Sequence, residues 1–153
     1  MTRKLWLRGP QATTALGAQL ATALPVSCRI DLSGPLGAGK TTLVRGLLRA
    51  LGHIGPVRSP TYTLIENYQI ADRRLYHLDL YRLSDPEELE YIGLRDLLDA
   101  PAVLLVEWPE RGASLLPTAD LIIALSVVET HRLAQLAAHT PIGSTLLSRL
   151  PDN

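Results

Sequence analysis

Hydrophobic residues recur along the chain with two different periods, and the change between them predicts alternating strands and helices. A short segment at 26–32 has enough β-branched residues for a buried strand and precedes the glycine-rich segment 34–39. Apolar residues at helical spacing follow between 42 and 51. Gly52 stands where a helix C-cap is expected. A second helix is predicted over 11–24, because leucines recur there at a spacing of four.

The remaining apolar runs predict mostly strands. One strand begins at about residue 62 and a second covers 75–81, with a polar turn at 71–73 between them. Residues 102–106 are all apolar, which is typical of a central parallel strand that is covered on both faces. Shorter segments complete the prediction: strands at 4–7, 121–128 and 133–138, helices near 84–88, at 94–98 and at 142–150, and a loop at 109–117. This order of elements indicates an α/β fold.

Residues 34–41 spell G-x-x-x-x-G-K-T, the pattern of a phosphate-binding loop. Glycines allow successive backbone N–H groups to turn toward one anion. Lys40 can reach the β- and γ-phosphates, and the hydroxyl of Thr41 can bind Mg²⁺. A strand, a glycine loop and a helix follow one another in the order that this site requires. The sequence therefore predicts a nucleotide site, with the start of the helix adding its dipole.

Two carboxylates downstream are candidates for the same site. Glu107 ends the apolar run in the position of a Walker B acid, which holds Mg²⁺ or positions an attacking water. Asp79 lies in an otherwise apolar strand, on one face with His77 and Tyr81, where an unpaired charge is costly. It is either a water-positioning or metal-binding acid, or a structural carboxylate paired with Arg82 or a backbone N–H.

The segment between the loop helix and Asp79 is rich in hydroxyl groups. Residues 59–63 form either a switch that closes over the γ-phosphate or an ordinary entry to a strand. The D-x-x-G at 31–34 precedes the phosphate loop, which is the wrong order for a GTPase, and no N-K-x-D occurs. ATP is therefore the better candidate. The four histidines show no metal-ligand spacing, and Trp108 is either a partner contact or part of the core.

Composition narrows the class of protein. A chain of 153 residues favours one domain, and 46% hydrophobic residues can build a core. Fifteen basic residues balance fifteen acidic ones, so contact with RNA is expected to be local or through a partner. Cys28 is the single cysteine and has no internal disulfide partner. No segment approaches about 20 apolar residues and no signal-peptide pattern appears, so we expect a cytoplasmic protein without a membrane segment.

Together these motifs resemble those of the TsaE family, the small ATPases of bacterial tRNA threonylcarbamoyladenosine synthesis. The resemblance extends over nearly the whole chain, from about residue 11 to the last strands. It is carried by GPLGAGKTT at 34–42, SPTYTL at 59–64, HLDLYRL at 77–83, DPEELE at 85–90 and EWP at 107–109. The first segment is shared by many nucleoside triphosphatases, whereas the second and third, in this order and spacing, are specific to the family.

The resemblance implies a P-loop fold, with helices on both sides of a mixed, largely parallel sheet, as one ATPase domain over 1–153. It implies that ATP and Mg²⁺ are bound, with Thr41 and Glu107 at the metal. Lys40, Asp79 and Glu107 are the catalytic residues that it implies, and Asp79 is needed for hydrolysis. The nucleotide-binding residues that it implies are Leu36, Gly37, Ala38, Gly39, Lys40, Thr41, Thr42 and Arg132.

The family works with two partners, TsaB and TsaD, of which TsaD transfers threonylcarbamoyl to an adenosine beside the anticodon. The resemblance implies an accessory ATPase, weak alone, which resets the TsaB–TsaD complex and meets tRNA through that complex. The residues leave two other functions open. One is a small-molecule or nucleoside kinase, although 153 residues leave little room for an acceptor pocket and lid. The other is a nucleotide-gated binding module without useful turnover.

Overall fold

A mixed seven-stranded sheet runs through the molecule, in a computed structural model that describes residues 1–152. The strands are β1 (Thr2–Leu7), β2 (Cys28–Ser33), β3 (Ile65–Ile70), β4 (Arg73–Asp79), β5 (Val103–Glu107), β6 (Leu121–Val128) and β7 (His131–Ala138). The helices are α1 (Pro10–Ala23), α2 (Lys40–Leu51), α3 (Glu88–Tyr91), α4 (Leu94–Leu97) and α5 (Pro141–Ser148). None of the helices in the described range is long and apolar enough to cross a membrane.

Parallel strands occupy the centre of the sheet and antiparallel strands form its edges. The strand order is β1-β7-β6-β2-β5-β4-β3. The four strands from β6 to β4 pair in parallel, whereas β3 on one side and β7 with β1 on the other pair antiparallel. All five residues of β5 are buried, which confirms the central parallel strand predicted there. The predicted α/β fold with a mixed, largely parallel sheet is confirmed.

Two apolar clusters cover the opposite faces of the sheet and give the fold three layers. The larger cluster packs α1, α2 and α5 against strand residues such as Ile30 and Leu105. The smaller cluster packs α3 and α4 against strand residues such as Leu104. Because successive strand residues point to opposite faces, Asp79 and Glu107 share the face on which α2 lies.

Some element boundaries differ from the predicted ones. The strand predicted from about residue 62 begins at Ile65, since Leu64 N donates to Pro60 O at 2.9 Å and Leu64 has a φ of 65°. This hydrogen bond makes 60–64 a turn, so residues 62–64 of the predicted strand belong to the turn instead. The following strand ends at Asp79, and the predicted loop at 109–117 contains two short 3₁₀ helices, Pro109–Arg111 and Ala113–Leu115.

The helices α1 and α2 touch through their backbones at two glycines. A Cβ atom added to Gly17 would overlap Leu43 O, and one added to Gly46 would overlap Thr14 O. Because glycine has no side chain, the two helix backbones are in direct contact at these points. The packing of α1 therefore determines where α2, and with it the end of the glycine loop, lies above the sheet.

The single cysteine is a buried apolar group at the start of β2. Burial raises the pKa of the Cys28 thiol to about 12, and the nearby carboxylate of Asp120 adds to the rise. The thiol therefore stays protonated at neutral pH and packs as a small hydrophobic side chain.

Replacing Gly46 with alanine is expected to lower the free energy of unfolding by about 1–3 kcal/mol, because the methyl group forces the two helix backbones apart. Urea denaturation followed by circular dichroism measures this change. Arg45→Ala, at an exposed position of the same helix, is the control and is expected to change stability by less than about 0.5 kcal/mol. Equal midpoints for the two variants would contradict the close helix contact.

Cys28 is expected to react with an aromatic disulfide reagent at about pH 8 at least about a hundredfold more slowly than an unperturbed thiol, because little thiolate forms. The absorbance of the released thiol follows the reaction. In denaturant the same residue should react at the ordinary rate. Rapid reaction of the native protein would show that the thiol is accessible and its pKa near normal.

Candidate functional site

The glycine-rich loop connects the carboxyl end of β2 to the first turn of α2. Gly37 and Gly39 have φ values of 80° and 107°, in the left-handed region that glycine adopts without strain. Gly39 directly precedes α2, and no side chain caps the first N–H groups of that helix. These N–H groups and the helix dipole favour an anion at the loop.

Lys40 is buried at the start of α2 and its ammonium group has three electron-rich neighbours. Its Nζ donates to Gly34 O at 2.5 Å and lies 3.9 Å from Glu107 Oε1. The same nitrogen is 4.7 Å from the centre of the Trp108 ring, within range of a cation–π contact. The structure thus brings together Lys40 and Glu107, which the sequence analysis had assigned to one site.

Asp79 and Glu107 end two neighbouring parallel strands and are paired in the register of β4 and β5. Both are nearly inaccessible, with exposed fractions of 5% and 3%. The carboxyl ends of parallel strands meet at one edge of the sheet, so two acids that are 28 positions apart in sequence lie side by side.

The hydrogen-bond partners of Asp79 come from the hydroxyl-rich segment 59–63 and from the strand end. Its Oδ2 accepts hydrogen bonds from the hydroxyls of Ser59 and Thr61, both at 3.2 Å, and its Oδ1 accepts one from Tyr81 N at 3.1 Å. The alternative partner Arg82 instead lies over the ring of Tyr62, at 4.6 Å from the ring centre. Asp79 is therefore a satisfied buried carboxylate that also fixes the segment beside the loop.

A cavity of about 370 Å³ opens between the glycine loop and the two carboxylates. It is lined by Leu36, Gly37, Gly39, Lys40, Thr41, Thr42, Ser59, Thr61, Asp79, Tyr81, Glu107 and Trp108. All the predicted site residues therefore meet at this cavity except Ala38 and Arg132.

A second cavity, of about 150 Å³, lies on the other side of the loop and is lined in part by Ala38 and Arg132. Arg132 Nη2 donates to Gly37 O at 3.2 Å, which holds the guanidinium against the loop from β7. The cavity is lined by Gly9, Pro10, Thr13, Gly37, Ala38, Gly39, Thr42, Thr130 and Arg132. The two cavities share three residues of the loop or its helix: Gly37, Gly39 and Thr42.

The possible metal ligands around the larger cavity are oxygen atoms, from the Thr41 hydroxyl and the carboxylates of Asp79 and Glu107. Within residues 1–152, no three His, Cys, Asp or Glu side chains converge as a metal site of their own. Mg²⁺ is commonly bound through one or two carboxylates together with substrate phosphates. These oxygen ligands therefore fit Mg²⁺ that is held jointly with phosphate oxygens.

Sequence reasoning missed the role of His77 in the geometry of this site. His77 Nε2 lies 2.7 Å from Glu107 Oε2, and the histidine side chain is completely buried. The available signal was its position two residues before Asp79, on the same face of a strand. The residues of the β1–α1 junction at the second cavity, such as Pro10 and Thr13, carried no signal, because the sheet topology alone brings them to the loop.

The comparisons with known proteins agree on one family. A family model described as threonylcarbamoyl adenosine biosynthesis protein TsaE matches residues 7–134. The tRNA threonylcarbamoyladenosine biosynthesis protein TsaE of Haemophilus influenzae is 50% identical over 119 residues, which cover 78% of this chain and 75% of that protein. The protein of the same name from Aquifex aeolicus is 35% identical over 134 residues, covering 86% and 92%. The crystal structure of YdiB from Bacillus subtilis aligns with a TM-score of 0.83 at 28% identity, covering 98% and 94%.

Replacing Asp79 with alanine is expected to loosen segment 59–63, because two hydroxyl groups lose their common acceptor. Amide hydrogen exchange in this segment should accelerate by about tenfold, as expected for the loss of one or two hydrogen bonds. Mass spectrometry of peptides over 59–64 measures the exchange. Asp72→Ala, in the exposed turn between β3 and β4, is the control. Unchanged exchange in Asp79→Ala would mean that other contacts hold the segment.

Proposed function

The chain belongs to the TsaE family, and from this membership we propose that it is the accessory ATPase of threonylcarbamoyladenosine formation in tRNA. The single observation that carries the proposal is the meeting of Lys40 and Glu107 at 3.9 Å beside Asp79, in the cavity next to the glycine loop. A phosphate loop, a cation and two acids at one cavity are the parts that hydrolysis of a nucleoside triphosphate requires.

In this proposal the loop amides and Lys40 hold the phosphates of ATP. The ammonium group of Lys40 exchanges its contacts with Gly34 O and the Trp108 ring for phosphate oxygens, which are stronger acceptors because they are charged. Thr41 and Glu107 would hold Mg²⁺, which neutralises charge on the β- and γ-phosphates when bound. The nucleoside would occupy the second cavity, where Arg132 is already held against the loop.

Asp79 is proposed to orient the attacking water while it holds Ser59 and Thr61. One carboxylate oxygen of Asp79 accepts from both hydroxyls. A γ-phosphate in the cavity would compete for the same hydroxyl donors, since both line it. Occupation of the γ-phosphate position would in this way change the contacts of segment 59–63. This competition for the two hydroxyl groups supports the proposed role of the segment as a γ-phosphate sensor.

We propose TsaB and TsaD as partners, with hydrolysis resetting their complex and tRNA met through it. Two apolar side chains support contact with another protein near the larger cavity. Leu36 of the lining is 77% exposed, and Tyr62, which follows the lining residue Thr61, is 83% exposed. Aromatic residues such as tyrosine are enriched at protein–protein contacts. The balanced net charge supports an indirect rather than a direct contact with tRNA.

Lys40→Ala is expected to reduce ATP turnover by at least about a hundredfold, because it removes a charge from the phosphates and from the transition state. Release of inorganic phosphate is measured with and without the TsaB–TsaD pair, which should stimulate the native protein. Lys4→Ala, at an exposed position of β1, is the matched control and should keep native activity. Asp79→Ala should lose the stimulation.

Unchanged affinity and hydrolysis in Lys40→Ala would overturn the proposed site. Phosphate transfer to nucleosides by the chain alone would favour a kinase. ATP-dependent complex formation that persists in Glu107→Ala and Asp79→Ala, with no loss of multiple turnover, would favour a nucleotide-gated binding module.

A further inference from the structure

A buried histidine contacts the carboxylate of Glu107 from the neighbouring strand. In the register of β4 and β5, His77 pairs with Leu105 and Asp79 pairs with Glu107, so the side chains of His77 and Glu107 share one face of the sheet. The two side chains are 0% and 4% exposed, and His77 Nε2 lies 2.7 Å from Glu107 Oε2. This is the distance of a strong hydrogen bond with a charged partner.

The surroundings of the ring determine which nitrogen donates. Among residues 1–152, His77 Nδ1 has no hydrogen-bond partner. A proton on Nδ1 would leave a buried N–H group unpaired, and without a proton on Nε2 two acceptors would face each other at 2.7 Å. The neutral ring with its proton on Nε2 avoids both costs. His77 therefore donates a hydrogen bond to Glu107.

Filling of the core alone does not account for a histidine at this position. Leu75, two residues earlier on the same face of β4, is also completely buried and fills its place with an apolar side chain. A buried imidazole with one unpaired nitrogen is less favourable than such a side chain. The hydrogen bond to Glu107 is what distinguishes His77 from a leucine.

The hydrogen bond gives the two oxygens of Glu107 different surroundings. Oε2 accepts from His77, while Oε1 lies 3.9 Å from Lys40 Nζ, and both Lys40 and Glu107 line the larger cavity. A carboxylate that was free to turn could approach the ammonium group and form a close ion pair, which is strong in a buried site. In that pair the cation would be less available to phosphate and the oxygen less available to a metal.

We propose that His77 is a positioning residue for Glu107. It holds one carboxylate oxygen so that the other faces the cavity for Mg²⁺ bound with nucleotide, and it keeps Glu107 from pairing closely with Lys40. The inference deepens the proposed function, since it rests on the same nucleotide site. The residues that hold a metal-binding carboxylate commonly affect metal affinity without touching the metal.

The test compares nucleotide affinity with and without metal in the same variant. Calorimetric titration with ADP, in Mg²⁺ and in EDTA, gives a ratio of dissociation constants that reports the coupling between metal and nucleotide. His77→Met has no donor, whereas His77→Gln places an amide nitrogen close to the position of Nε2. We expect the ratio to fall by about tenfold or more in His77→Met and to stay within about threefold of native in His77→Gln.

Two further variants separate positioning from general loss of stability. Leu78→Val alters a completely buried residue on the opposite face of β4, and should lower the melting temperature while keeping the native ratio. His77→Asn places its amide nitrogen near Nδ1 instead of Nε2, and should lose the coupling as His77→Met does. If His77→Met does not fold, His77→Asn takes its place in the comparison with His77→Gln.

Each outcome bears on one of the two proposals. A native ratio in the folded variants without the donor, or the same loss in His77→Gln, would overturn the role of His77. If the native chain couples metal to nucleotide but shows no turnover with its partners, the proposed ATPase fails while the His77 comparison still decides its own question. If the native chain shows no coupling between Mg²⁺ and ADP, the role of His77 is overturned, while the ATPase is decided separately by phosphate release from ATP.

Discussion

Two opposite charges, the ammonium of Lys40 and the carboxylate of Glu107, lie 3.9 Å apart in the interior, close enough to attract and too far apart to form a tight pair. Burial of charged groups is costly unless their surroundings compensate. Here the carbonyl of Gly34, the ring of Trp108 and the imidazole of His77 supply that compensation from three directions. This compensation allows both charges to stay buried without forming a tight pair. The rest of the site depends on it, because both charged groups then remain available at the cavity.

The architecture explains how charges from distant parts of the sequence reach one place. The parallel order of β2, β5 and β4 brings the phosphate loop and both acids to the same edge of the sheet. The antiparallel strand β7 then brings Arg132 to the other side of the loop. Each functional side chain thus lies at the end of an element or in the turn beyond it, where loops carry function on a rigid scaffold.

Local sequence was sufficient to predict where the glycine-rich loop and Glu107 lie in the fold. A glycine pattern marks the loop, and an apolar run with a terminal acid marks the end of a central strand. Local sequence was misleading at 62–64, which was predicted as the start of a strand but lies in a turn closed by the contact of Leu64 N with Pro60 O. It did not indicate the contact of His77 with Glu107, because this depends on the register between two strands that are far apart in the chain. Arg132 was found only by resemblance, since its approach to the loop is a property of the whole sheet.

The backbone contact between α1 and α2 at Gly17 and Gly46 has a mechanical consequence. The two helix backbones are in direct contact at this crossing, so main-chain atoms block any movement of one helix toward the other. The helical side of the larger cavity is therefore its rigid side. Under the proposed function, a phosphate group that enters the cavity would displace segment 59–63, which two hydroxyl groups hold to Asp79, rather than the helices.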